Sequence, residues 1–276
     1  MTLNIRGKII EMDRPRVMGI VNITPDSFYP GSRAMDAAQA VARTRTLLEE
    51  GADIIDIGAC STRPGSTPPS PREEMERLEG VMPAIRGAFP EALISIDTYR
   101  AEVAGECLRR WHVDIINDVS GGEDPSMYAT VAGHGAAYVL MHTRGDAASM
   151  DSLAAYGDVV AETVSELAFR LDKARLAGLS NVIIDPGFGF AKSAEQSLRL
   201  LSRLDWLKEL GCPILVGISR KRMAREAAEC EAADSLVPTV ALNAVAVSKG
   251  ADFIRVHDVR EGVLTAKTIG KLWNLE

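Results

Sequence analysis

The sequence predicts an α/β fold, a (β/α)8 barrel, on three observations. Eight short β-branched runs recur along the 276 residues, helical patterns fall between them, and nearly every run ends at a polar or charged group. The runs are Val17 to Ile23, Asp53 to Ile57, Leu93 to Ile96, Val113 to Ile116, Ala137 to Met141, Val182 to Ile184, Ile214 to Ile218 and Phe253 to Val256. Each is short and mostly uninterrupted, as strands buried on both faces of a parallel sheet must be.

The helical segments carry their own start and stop signals. Ser70-Pro71-Arg72-Glu73 combines an N-cap Ser, Pro at the first helical position and Glu at the third, a capping box, and Ser193-Ala194-Glu195-Gln196 makes another with Gln. Val160, Val164, Leu167, Leu171 and Ala174 recur at steps of four and three, giving one apolar face. Gly51, Gly178, Gly211 and Gly250 stand where helices should stop. Gly51-Ala52-Asp53 and Gly250-Ala251-Asp252 repeat one helix-to-strand junction. Eight such units fit one barrel domain over residues 1–276. The alternative is a doubly wound open sheet, which usually has a Gly-rich phosphate turn after its first strand; here that turn is missing. No linker, low-complexity stretch or charge block divides the chain.

Composition narrows the function classes. Hydrophobic residues make up 46% and charged residues 25%, enough apolar side chain to fill a core. The excess of 38 Asp+Glu over 31 Lys+Arg argues against a general nucleic-acid binder, and 5% aromatic residues argue against a stacking surface for single strands. Cys60, Cys107, Cys212 and Cys230 form neither a CxxC pair nor a zinc spacing, so they read as reduced thiols. No apolar stretch suits a bilayer span, and the charged N-terminus lacks the apolar region of a signal peptide. A cytoplasmic protein without a membrane partner is expected.

In a closed barrel, the loops after the strands converge on one mouth. The run ends supply Asn22, then Thr62 and Arg63 past the second run, Asp97, Asn117, His142, Asp185, Ser219-Arg220-Lys221, and finally Arg255 and His257. Residues two apart on a strand share a face, so Arg255 and His257 point one way, as do Ser95 and Asp97. Taken singly, Asp97 is equally well an N-cap of the next helix; Ser193 and Asp124 read as caps. Arg255 is different, because a charge inside Phe253-Ile254-Arg255-Val256-His257 needs a partner or a ligand.

The cluster has two characters. Arg63, Lys221, Arg255 and His257 suit an anion such as phosphate. Asp97, Asn117 and Asp185 suit a heterocycle bearing a 2-amino and ring N–H edge. The expected cavity is acidic on one side and cationic on the other, for a substrate with an N-rich ring at one end and phosphate at the other. A diphosphate brings Mg²⁺, for which Asn22 offers a carbonyl oxygen, and no all-protein cage for it is evident. Thr24 to Gly31 and Ser61 to Ser66 are turn-rich segments on the same side and read as lids or as ordinary loops. His112 and His134 fall in connections at the opposite face, and His142 serves either packing or substrate contact.

These residues resemble a known family. Gly19-Ile-Val-Asn22-Ile-Thr-Pro-Asp-Ser-Phe28 and Asp56-Ile-Gly-Ala-Cys-Ser-Thr62-Arg-Pro-Gly65 look like its first two signatures. Ser95-Ile-Asp97-Thr98, Ile116-Asn117-Asp118-Val119, Asp185-Pro-Gly-Phe-Gly-Phe190, Gly217-Ile-Ser-Arg-Lys221 and Ile254-Arg-Val-His-Asp258 follow in the family's order. The family is dihydropteroate synthase, a pterin-binding TIM barrel of folate biosynthesis, and the match covers nearly the whole chain. The resemblance implies a cytoplasmic homodimeric transferase that joins 7,8-dihydropterin-6-ylmethyl diphosphate to 4-aminobenzoate and releases pyrophosphate. It implies that Asp97, Asn117, Asp185 and Lys221 hold the pterin. Asn22, Thr62, Arg255 and His257 would hold the diphosphate, with Asn22 on Mg²⁺. Arg63, Pro64, Phe28, Ser219 and Phe190 would shape the aminobenzoate site, where sulfonamides compete, and Gly217 joins the substrate-binding set. Asp97, Lys221 and Arg255 would be the catalytic groups.

Two departures stand out: Cys60 in place of a more usual acidic residue, and Met141-His142-Thr143-Arg144-Gly145 in place of Met-His-Met-Gln-Gly. The rivals are a corrinoid-linked pterin methyltransferase domain, which would lack Ser219-Arg220-Lys221 and the two loop motifs, and a non-catalytic pterin-binding paralogue.

Overall fold

All eight apolar runs form strands of one parallel sheet. The computed structural model describes residues 2–24, 36–60, 68–146 and 149–273. Two short antiparallel strands come first, β1 (Thr2–Ile5) and β2 (Lys8–Glu11). The sheet strands are β3 (Arg16–Asn22), β4 (Ile54–Gly58), β5 (Leu93–Asp97), β6 (Ile115–Asp118), β7 (Ala137–Met141), β8 (Val182–Asp185), β9 (Leu215–Val216) and β10 (Phe253–Val256). Their order is β8-β7-β6-β5-β4-β3-β10-β9. A parallel bridge between Ile184 and Ile214 joins the two ends and closes the barrel.

Around it run α1 (Ala37–Glu49), α2 (Pro71–Ala88), α3 (Ala101–Trp111), α4 (Met127–Ala132), α5 (Val159–Leu176), α6 (Ala194–Ser202), α7 (Arg222–Ala227), α8 (Leu236–Ser248) and α9 (Val259–Trp273). The capping boxes at Ser70 and Ser193 start α2 and α6, each closed by its third-position Glu73 or Gln196. The helix-ending glycines Gly51, Gly178, Gly211 and Gly250 all have positive φ, the left-handed turn that glycine adopts without a Cβ clash. Asp124 is a cap, though partly of a distant helix: its carboxylate accepts from the first amide of α3, Ala101, at 3.0 Å.

Strand register sorts the interior into layers. Alternate residues face inward, and at the bottom these are Met18, Ile54, Ile115, Ala137, Val139, Ile183, Leu215 and Phe253, packed with Leu3 and Ile5. Outward residues such as Val17, Ile55, Ile94, Ile116 and Ile254 pack against the helices. Moving up each strand, the inward positions turn polar: Asp56 pairs in register with Ser95, and Asn22, Gly58, Asp97 and Asn117 form the row above.

The β1–β2 hairpin is absent from the sequence-based expectation. Leu3 and Ile5 are buried beneath the barrel while Ile9 is 69% exposed. The turn at Arg6 and Gly7, φ 51° and 86°, is of the kind that suits a two-residue hairpin. The alternation Leu3-Asn4-Ile5 before Arg-Gly is the available signal, but it is too short to stand out. The ninth strand is also shorter than the predicted Ile214 to Ile218, with only Leu215 and Val216 in ladder geometry before the chain turns at Gly217 toward the Ser219–Lys221 corner.

Candidate active site

The barrel mouth gathers the predicted side chains from six strand ends. Arg255, on β10, sits at its centre. Its Nε donates to Asp56 Oδ2 at 2.6 Å and its Nη2 to Asp97 Oδ2 at 2.8 Å. Asn117 Nδ2 donates to the same Asp56 oxygen at 3.2 Å. Four elements, β4, β5, β6 and β10, are thereby tied together by one buried polar network. Asp97 does not cap α3, whose N-cap residue is Arg100.

Acidic and cationic groups alternate rather than occupying separate sides. Arg255 lies between two carboxylates, and Lys221 and Arg255 both act on Asp185. Burial explains this: a charge in a low-dielectric mouth persists only beside an opposite one. Burial pushes Asp97 up to about 7 despite the opposing effect of Arg255, with Asp56, Glu74 and Asp118 adding to the rise. Asp185 is also raised by burial, against the pull of Lys221. Burial lowers Lys221 to about 8, partly offset by Asp185. For Arg255, burial opposes the charge, but Asp56 and Asp97 outweigh it and hold the guanidinium protonated.

The loop after β8 forms one wall. Asp185 Oδ1 accepts from Gly187 N at 2.7 Å. Lys221 Nζ donates to Phe188 O at 2.7 Å and lies 4.7 Å from the centre of the Phe190 ring. Gly189 and Gly217 line that lysine: a Cβ on them would meet its side chain in ordinary contact, at 3.6 and 3.7 Å. On the adjoining wall, after β9 and β10, Ser219 Oγ lies 3.1 Å from His257 Nδ1 and accepts from the His257 amide at 3.2 Å.

Gly58 opens the floor between Asn22 and Asp97. A Cβ there would lie 3.4 Å from Asn22 Oδ1 and 3.6 Å from Asp97 Cβ. Asn22 thus presents an amide oxygen at the rim of the same cavity. The described residues contain no group of three or more His, Cys, Asp or Glu able to hold a metal. The donor set fits a hard cation that takes one amide oxygen here and keeps its remaining places for phosphate and water.

Asn22, Asp97, Asn117, Asp185, Phe190, Gly217, Ser219, Lys221, Arg255 and His257 all occupy this mouth or its walls. Thr62 and Arg63, with Phe28 and Pro64, lie outside the described residues, as does most of each turn-rich segment that carries them. The root of the second segment is well held: Arg77 Nη1 donates to Ala59 O at 2.8 Å, Arg100 binds Glu74 and Pro69 O, and Cys60 Sγ approaches Tyr99 OH. His112 and His134 are exposed, as expected. His142 is fully buried and bonded on both ring nitrogens, to Glu166 and Lys192, which is the packing alternative.

Two important residues escaped the sequence reading. Asp56 sits inside Ile54-Ile55-Asp56-Ile57, where a charge needs a partner as Arg255 does, and each is the other's. Lys192 gave no signal, since a lysine after Phe190-Ala191 reads as a surface residue, yet it is 2% exposed.

Residues 18–257 match the model of a family described as pterin binding enzyme. A dihydropteroate synthase of Synechocystis sp. is 41% identical over 264 residues, covering 94% of this chain and 91% of that protein. The mitochondrial folate synthesis bifunctional protein of Arabidopsis thaliana is 42% identical over 272 residues, and the chain spans about half its length (49%). The crystal structure of dihydropteroate synthase from Thermus thermophilus in complex with 4-aminobenzoate superposes with a TM-score of 0.88 at 39% identity, covering 99% of this chain and 100% of that one.

Proposed function

The chain belongs to the pterin-binding enzyme family and, within it, to the dihydropteroate synthases, and from that premise we propose that it is the transferase its mouth is shaped for. It condenses 7,8-dihydropterin-6-ylmethyl diphosphate with 4-aminobenzoate and releases pyrophosphate, a step of folate biosynthesis. The observation that carries this reading is the Asp56–Arg255–Asp97 bridge, set in one cavity with Asn117, Asp185 and Lys221.

Asp185, Asn117 and Asp97 offer acceptors and an amide to the amino and ring N–H edge of the pterin, and Lys221 adds a donor. Arg255 and His257, with Lys221 nearby, face the diphosphate and stabilise the negative charge that develops as it leaves. The C–O bond breaks with its electron pair going to pyrophosphate. Positive charge spreads from the methylene carbon into the pterin ring, and the Asp97 carboxylate favours it. The neutral arylamine nitrogen then forms the C–N bond and gives up one proton. Phe190 and Ser219 border its path. No covalent enzyme intermediate is required. Mg²⁺, held by Asn22 and the diphosphate, would supply charge neutralisation at the leaving group.

Sulfonamides compete for the arylamine place. The unit of function is a homodimer, supported by α8, an apolar helix that leaves Val237 75% and Val245 40% exposed. A single barrel domain over 1–276 in the cytoplasm fits four cysteines that form no disulfide. Among the described residues, no helix is long and apolar enough to cross a membrane.

The deciding experiment combines purified protein, Mg²⁺ and both substrates and measures dihydropteroate. Formation of product is expected. Tight pterin binding without turnover would replace this reading with a non-catalytic pterin binder.

A further inference from the structure

The wall that carries Phe190 is held by a second lysine that the reaction does not use. Gly187, Gly189 and Ala191 all have positive φ, at 68°, 77° and 48°. A backbone with this many left-handed residues has little local preference for its shape and depends on outside contacts to keep it. The fit against the end of β7 is tight, since a Cβ on Gly187 would fall 1.9 Å from the His142 carbonyl oxygen.

Lys192 supplies the outside contacts. Its Nζ donates to Gly187 O at 3.3 Å and Phe190 O at 3.2 Å, and it lies 2.7 Å from His142 Nδ1. These three acceptors match the three protons of the charged form; burial lowers Lys192 to about 7, with Asp185 the main opposing effect, and a neutral amine still donates two protons. Burial lowers His142 to about 4, so the ring is neutral. With Nδ1 accepting, the ring proton sits on Nε2 and is donated to Glu166 Oε2 at 3.1 Å. Arg144 Nε donates to the other Glu166 oxygen at 3.0 Å. The chain of contacts therefore runs from α5 to the loop beside the site. The pterin side of that loop has its own anchor, Lys221 on Phe188 O.

We propose that Lys192 is a positioning residue for the arylamine half of the site, its buried amino group holding the Gly187 and Phe190 carbonyls and thereby fixing the Phe190 ring. The inference rests on the reading that Phe190 borders the arylamine. Because Lys221 anchors the pterin side separately, loss of the clamp should separate the two substrates.

Three variants of the full chain test it: Lys192→Met, His142→Leu, and His142→Asn, which keeps an acceptor for the amino group. Lys192→Met and His142→Leu are expected to raise KM for 4-aminobenzoate by about fivefold or more, the worth of one lost hydrogen bond, with KM for the pterin diphosphate changing by less than about twofold. His142→Asn should stay close to wild type. An unchanged aminobenzoate KM in folded Lys192→Met overturns the proposal, as does an equal rise in both KM values. Should Lys192→Met not fold, the histidine pair decides, and equal KM values in Leu and Asn variants overturn it. Amide hydrogen exchange over residues 187–191 reads the clamp without substrate. Exchange should be faster in Lys192→Met and His142→Leu than in wild type and His142→Asn, and unchanged exchange overturns the clamp. Wild-type protein that forms no dihydropteroate would sink the function reading alone and leave the exchange result to decide the clamp.

Discussion

Replacing Arg255 with Met strips the cation from the mouth while keeping a long apolar stem. Two carboxylates lose their cation at once: Asp56 is fully buried and Asp97 is 8% exposed. Breaking a buried ion pair from one side costs about 3–5 kcal/mol, because the remaining charge is left uncompensated. The Arg255 side chain is itself 20% exposed, so water enters readily once it is gone and the lower end, about 3 kcal/mol, is expected. For a chain of this length that is a fall of about 5–10 °C in Tm. The pH dependence follows from Asp97, raised to about 7 by burial, with Arg255 the main effect lowering it. Above about pH 4 the unfolded carboxyl is ionised while the folded one keeps its proton, so stability falls as pH rises through 7 and then levels. Without Arg255 the fall continues to higher pH. Urea denaturation at about pH 5.5 and about pH 8.5 should therefore show a wider gap between variant and wild type at the higher value. A loss below about 1 kcal/mol, or the same gap at both pH values, would refute the buried-bridge argument.

Gly58→Ala should fold normally, since its Cβ meets only ordinary contacts at 3.4 Å and beyond, yet pterin diphosphate affinity measured by calorimetry should fall because the methyl fills the floor between Asn22 and Asp97. Unaltered affinity would place the substrate elsewhere. Lys221→Ala should keep its circular dichroism and lose about 10²-fold in kcat/KM, the scale of removing one electrostatic donor, and unchanged turnover would remove Lys221 from the site. The pH profile of kcat/KM should be bell-shaped, rising as Asp97 ionises near 7 and falling as Lys221 loses its proton near 8. Asp97→Asn should flatten the acid limb, and an acid limb that survives this change assigns it to another group. 4-Aminobenzoate should bind only after pterin and pyrophosphate, so tight binding to the empty protein would contradict ordered addition.

The barrel was legible because its strands are buried on both faces and therefore read as unbroken apolar runs. The site was legible because strand ends in such a barrel share one mouth, so Asn22, Asp97, Asn117, Asp185 and Arg255 could be placed together despite their separation in sequence. What stayed hidden depended on three-dimensional pairing. Arg255 announced a buried charge, but nothing local named Asp56 as its partner, 199 residues away. Lys192 follows a glycine- and phenylalanine-rich loop and looks solvated; only the left-handed turns around it fold it inward. The segregation of acid from base failed for the same reason: sequence lists charges by strand, while low dielectric makes opposite charges interleave. The hairpin was missed because four-residue strands lie below the length at which alternation is distinct from chance.

That hairpin has a functional consequence. With Leu3 and Ile5 packed under a lowest layer of side chains that already fills the barrel interior, the mouth is the way in. Product must retreat along the path by which the reactants came in. Whatever enters last stands nearest the exit, so the deeper ring is trapped until the outer occupant has departed or has become joined to it.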